Sequence, residues 1–194
     1  MKSIYQIVDD SLQKMREQFF PMTGIIEEVP KEMIDLSLET EEDYIGWKAI
    51  PSQITDKELL EFEEELNCKL PNSYKHFLQY KYFMELHLQD VAIRLHHFFP
   101  KSKLEKLEKM NLDSSFSKEI LRKGYFYFAD FYDFGLLTFD TNQPKEENEF
   151  EIVFFMYDDL KNKYLYSKSF TELMNSDENQ SNNFIERLNQ LDKN

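Results

Sequence analysis

Apolar positions recur at two different spacings along this chain, and the change from one to the other divides it. Ile4, Ile7, Val8, Leu12 and Met15 fall at helical spacing until Pro21 interrupts the pattern, which predicts a short amphipathic helix. The next stretch, TGIIEEVPKEMIDLSLETEEDYIG, keeps no period and carries Pro30 and an acidic run, so it reads as a wrapping arm with little structure of its own. Helical spacing returns after TDKE, a capping box in which the Thr55 hydroxyl takes the N–H of Glu58 and the Glu58 carboxylate reaches back. Leu59, Phe62 and Leu66 share one face there, and Glu61, Glu64 and Glu65 lie outside it. Pro71 pushes Leu70 out of helical angles, Asn67 offers a helix stop, and proline is tolerated at the start of the next helix. The Leu-Pro step is therefore expected to be a corner between two helices. The second carries Tyr74, Phe77, Leu78 and Lys81 along one face, with the lysine stem laid against it.

Beyond residue 120 the period shortens. YFYFA (125–129), LLTF (136–139), IVFFM (152–156) and KYLY (163–166) are aromatic and branched runs separated by turn-rich segments, the pattern of antiparallel strands, with Gly124 and Gly135 each opening one. TNQPKEENE, Thr141 to Glu149, is polar and reads as a surface loop. Helical segments flank the strands. Leu104, Leu107 and Met110 follow a second capping box, SKLE; a third, SFTE at Ser169, precedes Leu173; and Phe184, Leu188 and Leu191 close the chain. The sum is an α+β fold: a mainly antiparallel β-sheet with helices packed around it.

Composition narrows the functional classes. At 194 residues one core is expected, built largely from 18 Phe, 11 Tyr and 8 Met. The net charge of −14 argues against direct nucleic-acid binding, which needs clustered cations, and favours a basic protein partner. The same acidity also serves solubility. Cys68 is the only cysteine, so neither an internal disulfide nor a thiolate metal cluster can form. With no signal-peptide-like core in MKSIYQIVDD and no apolar run long enough to span a bilayer, a cytoplasmic location without membrane contact is expected.

Catalytic chemistry has little to build on. There is no phosphate-cradling glycine loop, no HExxH and no Cys-x-x-Cys, and the chain holds four glycines. His96 and His97 are adjacent and diverge, while His76 and His87 sit at no ligand spacing. The carboxylates of EFEEEL point to different sides of a helix and read as a solvated face. Asp130, Asp133 and Asp140, like Asp158 and Asp159, read first as turn formers. No catalytic residue, metal ligand or cofactor is expected; a metal-dependent hydrolase using Asp and His residues is the alternative.

Trp47 to Leu78, WKAIPSQITDKELLEFEEELNCKLPNSYKHFL, resembles the entry segment of the SUKH superfamily, fungal cell-wall-synthesis regulators and many bacterial immunity proteins. The matching positions are Trp47, Pro51, Ser52, Glu63, Leu70, Pro71, Tyr74, Phe77 and Leu78. FADFYDFGLLTFDT, with Gly135 and Asp140, resembles the family hairpin, and SFTELM its terminal helix, so the likeness runs over about residues 47–175 in consistent order. One departure is the segment QYKYFMELHLQD, which has no glycine where members commonly carry Asn-Gly-Gly. With the pattern of the first segment, the resemblance divides the chain into an N-terminal helix and wrapping arm, residues 1–46, and a SUKH-like α+β domain, residues 47–194, expected to form one compact unit with the arm. It also implies a non-catalytic immunity protein that binds a cognate toxin, often a nuclease, or else a regulatory scaffold. Asp130, Asp133, Glu146, Glu147, Glu149, Asp158 and Asp159 are the acidic positions expected to face a basic partner.

Overall fold

In the computed structural model, which describes residues 1–17, 22–95, 100, 104–143, 145–157 and 159–191, the short-period runs form one antiparallel meander. Its strands are β5 (Ile93–Leu95), β6 (Tyr125–Phe131), β7 (Gly135–Asp140), β8 (Ile152–Met156) and β9 (Asp159–Ser167), hydrogen-bonded in chain order. The helices are α1 (Ile4–Glu17), α2 (Asp56–Glu65), α3 (Asn72–Tyr80), α4 (Glu105–Leu112), α5 (Ser115–Arg122), α6 (Phe170–Met174) and α7 (Glu178–Leu191). The fold is α+β. Two short ladders lie outside the main sheet: β1 (Thr23–Ile25) with β2 (Tyr44–Gly46), and β3 (Ile50–Pro51) with β4 (Lys81–Tyr82). The arm thus gains a little regular structure by folding back on itself, and an isolated bridge from Ile34 to Trp47 ties it to the domain entry.

The central strand β7 is buried along its whole length, because both faces of the sheet are covered. Alternation sends Leu137 and Phe139 into the main core and Leu136 into a smaller cluster with Ile120 of α5, Val153 and Phe155. On the main side Phe128 stacks on Phe139 with ring centroids 4.1 Å apart, and Tyr74 and Phe170 close over them at 5.0 and 6.0 Å from Phe139. Aromatic pairs of this kind contribute about 0.5–1.5 kcal/mol each beyond the area they bury. Gly135 opens β7 where a side chain has no room, since a methyl group there would lie 1.9 Å from the Phe154 ring. A bulge in β6, between Tyr127 and Ala129, breaks strict alternation. Phe126 and Phe128 point to the main core before it, Ala129 and Phe131 after it, and Asp130 is left on the same face as Tyr127.

The Leu-Pro corner forms as expected. The Thr55 capping box starts α2, with both of its reciprocal bonds made. Asn67 takes a positive φ of 48° to stop the helix, and Leu70 is fully buried beneath the turn. Glu63 departs from expectation. It is buried rather than part of a solvated face; its carboxylate accepts the Leu70 N–H at 2.8 Å and lies 3.3 Å from the ammonium groups of both Lys69 and Lys75. Pro71 is the cap residue of α3 and offers no side-chain bond. Glu149 supplies it from a distant loop, accepting the Ser73 N–H at 2.7 Å and the Ser73 hydroxyl at 2.6 Å.

Three smaller expectations shift. Helix α3 ends at Tyr80, so Lys81 opens β4 and reaches Asp9 of α1 at 2.6 Å instead of lying on a helix face. Helix α4 begins at Glu105 after Leu104, which makes no side-chain cap, while Ser102 of the expected box lies outside the described residues. At α6 the Ser169 hydroxyl accepts from the Glu172 N–H, but the Glu172 carboxylate bonds the Lys168 N–H rather than that of Ser169. The sequence reading did not foresee α5 or β5.

Replacing Glu63 by Ala strands the buried Leu70 N–H and two lysines. Urea unfolding is expected to show a loss of about 2–3 kcal/mol for Glu63→Ala, against less than about 0.5 kcal/mol for Glu64→Ala on the exposed side of the same helix.

Candidate functional site

The meander brings two hairpin tips side by side. Tyr132, Asp133 and Phe134 make the turn from β6 to β7, with Tyr132 held at a positive φ of 46°. Tyr157 sits in the turn from β8 to β9, and its N–H donates to the Phe134 carbonyl at 3.2 Å, which fastens one tip to the other. Phe131, just inside, is fully buried and anchors the turn edge-on to Phe134 at 5.6 Å. The three outer rings remain substantially in water: Tyr132 is 38% exposed, Phe134 42% and Tyr157 42%. Tyr132 and Phe134 stack at 5.7 Å, and the half-buried Phe116 of α5 lies 6.1 Å from Tyr157 on the other flank. Large rings grouped in this way on turns form an exposed aromatic patch.

Beneath the rings lies a charged knot. Asp130, brought to this face by the β6 bulge, accepts hydrogen bonds from the phenols of Tyr127 and Tyr157, the latter at 2.9 Å. Its second oxygen takes both Nε and an Nη of Arg94 from β5, at 3.2 and 3.0 Å. Arg94 continues outward to Asp133 at 3.7 Å, so one guanidinium bridges the strand and the turn. The bond to Asp130 raises the Arg94 pKa further above its ordinary value. Burial, then the bond to Asp130, pushes the Tyr157 phenol up to about 12, and the same two causes raise Tyr127 beyond the ordinary tyrosine range.

The acidic positions expected to face a partner divide. Asp133 belongs to the tip, with its side chain 96% exposed. Asp159 is at the neighbouring tip, half-buried, and binds the N–H of Lys161 and the amide of Asn162, the latter bond leading the interactions that hold its carboxyl below the usual range. Asp130 is a strand residue rather than a turn former, 5% exposed, and both its carboxylate oxygens accept within the knot. Glu149 is likewise engaged inward as the cap of α3. Glu146 is exposed, in a short 3-10 turn on that distant loop. Asp158 and the side chain of Glu147 lie outside the described residues. Tyr132, Phe134, Tyr157 and Arg94 were not singled out from the sequence; the only signal was that aromatic residues stood in turn positions, where polar ones are usual.

Groups with catalytic potential are dispersed. Among the described residues no three His, Cys, Asp or Glu side chains converge as metal ligands, and His96 and His97 lie outside those residues. Asp140 is paired with Lys163 at 2.7 Å; burial would raise its pKa, but the bonds to Lys163 and Asn142 outweigh that and lower it. Burial pushes the Cys68 thiol up to about 11, which leaves it protonated and a poor nucleophile at neutral pH. Among the described residues no helix is long and apolar enough to cross a membrane.

The phenol knot predicts a pH dependence. An unfolded tyrosine ionises near 10.0, whereas folded Tyr157 holds its proton to about 12, so its stabilising share is complete below pH 10 and is lost as pH rises to about 12. Denaturation measured across that interval should fall less steeply for Tyr157→Phe than for the parent; equal slopes would show that Tyr157 does not carry the effect.

Comparison with known proteins bears on the fold already described. None of the curated proteins matches the chain. The model of the SMI1 / KNR4 family (SUKH-1) matches residues 53–176, from just before the α2 cap to the end of α6, which is well over half the chain; the protein therefore belongs to that family.

Proposed function

We propose that this protein is a non-catalytic binding module, an immunity factor that neutralises a basic toxic protein by seating it on the paired hairpin tips. The observation that carries this reading is the group of exposed rings, Tyr132, Phe134 and Tyr157, beside Asp133 on a chain of net charge −14. The rings offer large, stiff contact area at small entropy cost, and the charge draws a cationic partner into encounter. A nuclease has the required complement, because a surface that holds phosphates must be basic. The knot of Asp130, Arg94 and two tyrosines supports the same role, since a tip already held in place loses little freedom on binding.

The test is co-expression with a toxic product encoded in the adjacent reading frame, followed by binding measurements on the purified pair. The parent chain should restore growth and form a stoichiometric complex. The triple variant Tyr132→Ala, Asp133→Lys, Phe134→Ala should bind about 30-fold or more weakly, because truncating hot-spot residues costs about 2 kcal/mol or more, and its thermal unfolding should change little. Unchanged affinity in that variant rejects the tips as the docking surface, and absence of any complex rejects the immunity reading itself.

A further inference from the structure

A cavity of about 370 Å³ opens on another part of the molecule, between α1, the segment around residues 87–91 and α6. Its volume falls within the range of small-molecule sites, roughly 300–1,000 Å³. Ile7 and Met15 of α1 lie with Leu88 and Met174 among its walls, which gives it an apolar side within a mixed lining, and three of the lining side chains, Met1, Met15 and Met174, are adaptable thioethers. Its rim has a charge unlike the rest of the chain. Lys2, Asp10 and Lys14 all line it; Asp10 is taken by Lys2 at 2.6 Å, which leaves the exposed Lys14 with no carboxylate partner among the described residues. Opposite, His87 is engaged by Glu85 at 3.0 Å. Lys2 and Lys14 against the one carboxylate of Asp10 give the rim an excess of positive charge in a protein of net charge −14, which suits an anionic head.

We propose that this cavity binds a small anionic amphiphile, an alkyl chain laid along Ile7, Met15, Leu88 and Met174 with its carboxylate or phosphate head at Lys14. A cation of the same chain length has the wrong charge for Lys14, and a short inorganic anion has nothing to bury. Part of the wall, α1, lies outside the residues matched by the family model, and the site is separate from the hairpin tips.

The test follows the methionine methyl resonances of the whole chain while decanoate, decyl phosphate or decylamine is added. Met15 and Met174 should shift saturably with one or both anions and not with the amine, while Met33, a fully buried residue of the arm outside the cavity lining, stays in place. Whether decanoate or decyl phosphate binds tighter distinguishes a carboxylate ligand from a phosphate one. Lys14→Glu, on an exposed helix position, should weaken binding about five-fold or more. Val91→Trp, which crowds the mouth from a residue 64% exposed, should weaken it without unfolding the chain. The proposal is overturned if no methyl moves at ligand concentrations up to about 1 mM, if decylamine acts as the anions do, or if Lys14→Glu binds as well as the parent.

Discussion

A corner buried inside a protein has to satisfy its own backbone, and at Leu70-Pro71 the rest of this fold is arranged around that requirement. The backbones of the two helices leave Leu70 and the first N–H groups of α3 unserved, because α2 has ended and proline contributes no N–H to the start of α3. Three side chains complete it: Glu63 accepts from Leu70 N–H, Asn148 donates its amide to the Leu70 carbonyl at 3.1 Å, and Glu149 caps Ser73. Two of these come from the loop between β7 and β8. The corner therefore does more than turn the chain, since it pins that loop to the helical layer and sets the height at which Tyr74 and Phe77 meet the sheet. Leaving such groups unpaired costs about 1–3 kcal/mol apiece, a large part of a domain's net stability.

Much of this architecture was legible in the sequence because it rests on local rules. Thr55 and Glu58 announce a helix start, Asn67 and Pro71 a stop and a restart, and four aromatic runs announce strands, three within two residues of their observed ends and the fourth starting four residues inside β9. What stayed hidden depends on contacts distant in sequence. Glu63 and Glu64 are adjacent and chemically identical; Glu63, four residues after Leu59, falls on the inward face, and it is the Leu70 N–H and two lysines that satisfy its carboxylate there, while Glu64 points to solvent. Asp90 illustrates the same limit. It is fully buried, its carboxylate accepting from the hydroxyls of Tyr166, Ser176 and Ser181, and it joins the loop before β5 to β9 and α7 across about half the chain.

The site follows the same division. Acidic turns were visible as acidic turns, but one bulge in β6 decides that Asp130 faces inward to Tyr127 while Asp133 faces water. A single extra residue thereby converts a surface charge into a support for the rings above it. Glu149 was drawn inward by a different need, the uncapped start of α3. Counting carboxylates along the sequence consequently overstates the acidic surface, and the part of the tips that can bury area against a partner is aromatic, with the charge around it acting mainly at longer range.

The family frame and what is added to it have different physical tasks. Residues 53–176 contain the corner, the meander and both tips, so the proposed docking surface lies within the segment matched by the family model. Helix α1 lies outside that frame, yet it is not loosely attached: Tyr5 packs on Tyr80 at 4.6 Å, and Asp9 accepts from both the Tyr80 phenol and the Lys81 ammonium. These contacts hold one side of α1 against the end of α3, while Ile7 and Met15 border the opening toward Leu88 and Met174. A helix clamped along one side and bordering an opening along another encloses a hollow instead of filling it, which is why the cavity lies at this junction.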